Sequence, residues 1–218
     1  MQKILVLVEG QTEEQYVKQC LNPFFETLGK KIIPKIVMTK ENLQGANYKG
    51  GTVPFTNFAS QIRNLLHDSS SSCVTMMFDY YGLPADYPGR DKPQGNDCFE
   101  RVQFVEQEIA NSIGHRKFLP FLALHEFEGI LFSDADELYS SLPIALRPNP
   151  FRVIREQFAT PEEINDNPTT RPSARILNYV KGYQKPLHGS IISSRIGIDV
   201  CRRECPHFNR WIERLIAV

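Results

Sequence analysis

Three apolar runs in this chain hand over directly to acid. Ile4–Val8 is followed by Glu9, Cys73–Phe78 by Asp79, and Phe118–Leu124 by His125, Glu126, Phe127 and Glu128. An acid that ends a buried run gains nothing from local propensity, so three such endings point to a shared purpose. Carboxylates within a few ångströms of one another repel, and a cluster of them is unfavourable unless a cation sits among them. Hard divalent ions such as Mg2+ or Mn2+ take oxygen ligands and meet that need. Two such ions about 3.5–4 Å apart would activate a water and stabilise the leaving oxygen of a phosphodiester. Glu13 and Glu14 lie just after the first run, although acids suit the first turn of any helix. Glu126 and Glu128 can likewise be read as helix-start acids, and His125 as a core histidine.

Those acids share a site only if the elements carrying them run parallel. Ile4–Val8, continuous and branched, reads as a strand buried on both faces. Thr12 and Gln15 then fit a capping box, with Tyr16, Val17, Cys20, Leu21, Phe24, Phe25 and Leu28 on one helical face. Pro23 should kink or divide that helix, and Gly29 is its expected stop. Residues 32–38 read as a second strand, placed near an edge by Pro34. A helix over Phe55–Leu66, a central strand over Cys73–Phe78, a helix capped by Asp97 and Glu100, and a strand over Phe118–Leu124 follow. This alternation predicts an α/β fold with an open, mostly parallel sheet, whose sites form at the carboxyl ends of the strands. Beyond Ser133 the strands stop. Thr160-Pro161 opens one expected helix, and "PSARILNYV" and "FNRWIERLIAV" are two more. The expected division is an α/β core over 1–135 and a helical elaboration over 136–218 packed on it.

The bulk numbers narrow the class. With 25 basic and 25 acidic residues in 218, no global basic field exists, and nucleic-acid contact would need a local patch. Five scattered cysteines without a secretory leader suit reduced thiols and a cytoplasmic protein, and no run is long enough to span a membrane. Cys201, Cys205 and His207 have no partner half with zinc-site spacing.

"VEGQTEE" at 8–14 followed by "FDYYG" at 78–82 resembles the Toprim domain of topoisomerases, primases and OLD-family nucleases. Together with "HEFEGILF" at 125–132 and "CPHFNRW" at 205–211, these motifs resemble a Toprim-like bacterial family known as domain of unknown function 4276. The resemblance implies a Rossmann-like Toprim core and a Mg2+- or Mn2+-dependent nuclease. It further implies a nucleic-acid substrate, with DNA favoured over RNA, and an AAA-type ATPase partner on another chain in anti-phage defence. By position it implies Glu9, Glu13 and Asp79 as metal ligands, and it implies Lys185 of "GYQKPLHG" as the cation facing the reacting phosphate. The neighbouring strand end offers Glu128 as a further ligand and Glu126 as ligand or general base, and without one of them the site would bind metal weakly or not at all. The departure is Tyr81, which stands where the Toprim pattern has a second aspartate; a phenol does not replace a carboxylate as a Mg2+ ligand at neutral pH. Lys49 and Gly50 of "NYKGG", Arg90 in the long loop after Asp79, and Arg175 with Arg171 in "TTRPSARIL" are candidate phosphate contacts. A solvated loop or helix face is the plain alternative for each, Lys185 included. The competing function is a non-catalytic Toprim-like module that binds nucleic acid or an ATPase. The chain has no P-loop motif.

Overall fold

A computed structural model describes residues 1–41, 47–49, 51–165 and 167–218, with residues 40, 41 and 47–49 described by their backbone alone. Strand β1 (Gln2–Val8) alternates its apolar side chains between two layers. Ile4, Val6 and Val8 enter one core with Tyr16, Phe25, Phe127 and Trp211, whereas Leu5 and Leu7 enter the other with Phe58, Phe78 and Ile109. Full burial of each such aliphatic side chain stabilises by about 1.5–3 kcal/mol, so β1 is anchored from both faces.

The chain leaves β1 through Gly10 into α1 (Gln11–Tyr16), widens into a π-helical turn over Val17–Leu21, and resumes as α2 (Asn22–Thr27). The expected Thr12–Gln15 capping box is not formed. Gly10 is the cap, and its N–H donates to the Glu13 carboxylate at 2.9 Å. Pro23 divides the helix as expected, and the wide turn before it accommodates the missing donor. Gly29, at φ +72°, ends it.

Strand β2 (Lys30–Ile36) pairs parallel with β1 at the sheet edge, where the absent N–H of Pro34 is tolerated. A short antiparallel pair, β3 (Met38–Glu41) and β4 (Asn47–Lys49), leads to α3 (Phe55–Leu66) and then the central strand β5 (Ser71–Asp79). After α4 (Cys98–Ile113), whose first turn is capped by Asp97 accepting from Glu100 N–H at 2.8 Å, the chain returns to the sheet. The expected single strand 118–124 is instead two short pieces, β6 (Phe118–Leu119) and β7 (Leu122–Ala123), both parallel to β5. Pro120 supplies the break, because it has no N–H for the ladder. The sheet order is β2-β1-β5-β6, with β7 also on β5, and every pairing is parallel.

From Phe127 onward the described chain is helical: a 3-10 segment Phe127–Asp134, then α5 (Ala135–Ser140), α6 (Pro150–Arg155), α7 (Pro172–Tyr179), α8 (Ser190–Ile196), α9 (Ile198–Glu204) and α10 (Pro206–Ile216). Thr160 precedes only a single 3-10 turn, Pro161–Glu163. These helices contribute Phe151, Ile176, Ile192, Cys201, Phe208 and Trp211 to the same core as β1. No helix among the described residues is long and apolar enough to cross a membrane, and all five cysteines are free.

A buried polar network joins α10 to the sheet. Trp211 Nε1 donates to Thr75 Oγ1 at 2.9 Å, and Trp211 stacks on Phe121 at 4.4 Å between ring centroids. Glu106 of α4 accepts from Leu122 N–H at 2.7 Å and pairs with His207 Nε2 at 3.0 Å. Glu162 accepts the N–H groups of His207 and Phe208, both at 2.9 Å. Cys201, Cys205 and His207 do not converge as a metal-binding group among the described residues, and His207 Nε2 is turned to Glu106.

Removing Glu106 leaves a strand N–H and an imidazole without an acceptor in the interior. Glu106→Ala is expected to cost about 3–5 kcal/mol, read as a lower urea midpoint at unchanged slope. Burial opposes charge on His207, but Glu106 and Glu162 outweigh it against Arg210, and its pKa is raised above 6.5. The contribution of the pair is thus complete below about pH 6.5 and is lost as pH rises through the folded-state value. Urea midpoints measured across pH 6–9 should fall on that limb in the native chain and flatten in His207→Gln.

Candidate metal centre

Because β1, β5 and β7 are parallel and in register, their carboxyl ends open on one rim. Val8 pairs with Met77, and Asp79 pairs with Ala123, so Glu9, Asp79 and the 125–128 segment emerge side by side. The contacts follow. Asp79 N–H approaches the Glu9 carboxylate at 3.3 Å, Phe127 N–H donates to Asp79 Oδ1 at 2.7 Å, and Tyr81 N–H donates to the His125 carbonyl at 3.0 Å. Asp79, Glu126 and Glu128 each place a carboxylate oxygen within 4.8 Å of the other two. Glu13, one helical turn into α1, is buried beside them and interacts with Glu9 and Glu128.

Cations from the helical half offset part of the negative charge of the five carboxylates on this rim. Lys185, in a π-helical turn over Lys185–Gly189, reaches Glu128 Oε2 at 2.9 Å and Glu126 Oε1 at 3.4 Å. Arg171 lies 3.6 Å from Glu126 and 5.2 Å over the Tyr81 ring. Ser173 donates to Glu126 from both its N–H and its hydroxyl at 2.9 Å. The charge excess persists. Burial first, and then Glu9 and Glu128, push Glu13 up to about 7. Asp79 lies well above the usual range from burial, then from Glu9, Glu13 and Glu128. Burial raises Glu9 and Glu128 as well, against the pull of Lys185. Lys185 loses charge preference to burial, but Glu128, Glu126 and Asp79 more than restore it and raise its pKa.

The donor set fits a hard divalent cation. All the converging atoms are carboxylate oxygens, and Glu128 Oε1 is buried with no hydrogen-bond partner, an orphan that a cation would satisfy.

The structure brings Glu9, Glu13, Asp79, Glu126, Glu128 and Lys185 together. The tightest triad contains Glu126, whereas Glu9 and Glu13 flank it, each with a backbone N–H already on its carboxylate. Arg90 leans on Tyr80, 4.3 Å over its ring. Arg175 donates to the Thr170 carbonyl, lies over Phe158 and lines a separate groove with Leu146 and Tyr179. Arg171, not Arg175, is the arginine of that helix start that meets the acids. Gly50 lies outside the described residues, as does the Lys49 side chain. Ser173 and Tyr183 belong to the site without having been expected: the Tyr183 hydroxyl is buried near Glu128 and Glu126. Nothing in the sequence distinguishes either from an ordinary helix-start serine or core tyrosine.

If Lys185 is the counter-cation, Lys185→Met should destabilise the metal-free protein by about 1–3 kcal/mol, a range reduced for its partial exposure. Mn2+ should then raise the melting temperature of the variant more than that of the native chain. The check is thermal denaturation in EDTA and in Mn2+.

Comparison with known proteins adds the following. No curated protein matches the chain. The C-terminal region of the Burkholderia pseudomallei OLD protein is similar at 14% identity and a TM-score of 0.43, with 99% of each chain covered. The C-terminal region of the Xanthomonas campestris pv. campestris OLD protein, phased with mercury, is similar at 16% identity and a TM-score of 0.41, covering 98% of this chain and 96% of that one. A family model described as a domain of unknown function (DUF4276) matches residues 8–216, from the last residue of β1 to the end of α10. With the acid rim and the helices that neutralise it both inside that span, the chain belongs to the DUF4276 family.

Proposed function

We propose that this protein is a metal-dependent nuclease that cleaves phosphodiester bonds at the acid rim. The observation that carries the reading is the convergence of Asp79, Glu126 and Glu128 around an unpartnered buried oxygen, with Glu9 and Glu13 beside them. Asp79 and Glu128, with Glu9, Glu13 and Glu126 around them, would hold Mg2+ or Mn2+, which supplies Lewis-acid activation of water and of the phosphoryl oxygen.

The residues of the chain do the rest. The ammonium of Lys185, bonded to Glu126 and Glu128, keeps its side chain 39% exposed and can turn a remaining N–H toward the charge that grows on an incoming phosphate. Glu126 is oriented by Ser173 and Arg171, which favours a fixed ligand or a proton acceptor positioned for one geometry. Arg171, spread over Tyr81, offers a second cation at the mouth. DNA is the favoured substrate. The proposed setting is anti-phage defence beside a separate AAA-type ATPase; both the setting and the substrate preference rest on the motif resemblance.

A second reading has its own support. Tyr81 in place of a carboxylate, and a Glu126 already engaged by Ser173, Lys185 and Arg171, favour a module that binds nucleic acid or an ATPase without cutting. Purified protein incubated with plasmid and with RNA, in Mn2+ or in EDTA, separates the two. The nuclease reading expects Mn2+-dependent cleavage that Asp79→Asn and Glu128→Gln each reduce at least about a hundred-fold while circular dichroism stays native. No cleavage, alone or with the ATPase supplied, would transfer the case to the binding module, whereas cleavage that survives both substitutions would remove the reaction from the acid rim.

A further inference from the structure

The tail motif "CPHFNRW" plays no part in the acid rim, yet its histidine borders a second polar cavity. This cavity, about 270 Å³, lies between α4 and α10, where Phe118 and Pro120 begin the last strand pieces. It therefore sits toward the amino ends of the strands, away from the carboxyl rim. Its walls include Gln103, Glu106, Gln107, His207, Arg210 and Arg214.

The donors and acceptors in this cavity are out of balance. Glu106, the acid of the set, takes both Leu122 N–H and His207 Nε2 on its Oε1. His207 is 4% exposed, stacks on Phe121, and has a buried Nδ1 with no hydrogen-bond partner. Arg210 and Arg214 stand on the exposed side of α10, and neither is in an ion pair among the described residues. Since Glu106 holds the Nε2 side, a charged imidazole presents its remaining N–H through Nδ1 and needs an acceptor there. Two guanidinium forks add planar, bidentate donors that match tetrahedral oxyanions. A neighbouring cavity shares Arg214 and Phe118 and adds Arg116 and Lys117, so the basic wall continues past the first opening.

We propose that the cavity bounded by His207, Arg210, Arg214, Gln103 and Gln107 is an anion-binding site for the phosphate group of a small phosphate monoester, distinct from the acid rim. His207 Nδ1–H is the buried anchor, Arg210 and Arg214 close over the non-bridging oxygens, and the glutamines take what remains. The basic wall on the adjoining cavity leaves room for the substituent of the ester. This assignment is independent of whether the acid rim cuts nucleic acid.

The test is isothermal titration of the full chain in EDTA, so that no divalent ion bridges the probe to the acid rim. The probes are inorganic phosphate, a nucleoside monophosphate and a short DNA oligonucleotide. Saturable binding of a monoester or of inorganic phosphate is expected, weakened at least ten-fold by the double substitution Arg210→Ala, Arg214→Ala and by His207→Gln. Both arginines are exposed, so the double variant should keep native circular dichroism even if His207→Gln does not. Glu9→Gln, at the other end of the strands, should leave the affinity unchanged. No saturable binding of either small anion, or binding that the double arginine variant retains, would overturn the assignment. So would binding of the oligonucleotide alone, because the arginines would then be a surface patch for a polyanion rather than the walls of a pocket.

Discussion

Mutual repulsion among buried carboxylates is the constraint around which this protein is arranged. Parallel pairing of β1, β5 and β7 forces the strand-end acids onto one rim, and the sheet itself offers them little beyond the Asp79 N–H. Relief comes from outside. Lys185 and Arg171 reach in from segments far along the chain, and the N–H groups of Gly10, Asp79, Phe127 and Ser173 fill part of the remaining acceptor capacity. The pKa of each of Glu9, Glu13, Asp79 and Glu128 stays raised, so the neutralisation is incomplete. A site left short of positive charge is one that a cation can enter with a gain.

The sheet was legible because its signals are local. A continuous branched run such as Ile4–Val8 has few uses other than a doubly buried strand, and Pro34 marks an edge by chemistry alone. Where the reading failed, the competing physics was equally local but closer to balance. Gly10 took the cap that Thr12 could have made, since an extended glycine lets its N–H meet Glu13 directly. Pro120 split the last strand, and the N–H that would have continued the ladder at Leu122 turned to a glutamate on a helix. A side-chain acceptor sixteen residues away cannot be read from the sequence of the strand.

The site was legible to the extent that it is built from strand ends. Glu9, Asp79, Glu126 and Glu128 announce themselves by following apolar runs, and topology does the rest. The residues that complete it have no such mark. Arg171 and Arg175 stand four apart in one segment, and only the packing of α7 against the 3-10 segment after Glu126 decides that the first meets acid while the second lies over Phe158. Ser173 and Tyr183 are further removed still, because their roles exist only once the helical half has docked.

That docking has a consequence for how the chain can be divided. Glu126 is gripped by Ser173 and Arg171, and Glu128 by Lys185, whereas the acids themselves stand on the sheet. A fragment ending after α5 would keep every carboxylate and lose every cation, stranding the acids beneath an interior that Phe151, Ile176, Phe208 and Trp211 no longer cover. The sheet could not be grafted elsewhere as a ready-made catalytic cassette; it would have to travel with the helices that make its charge bearable.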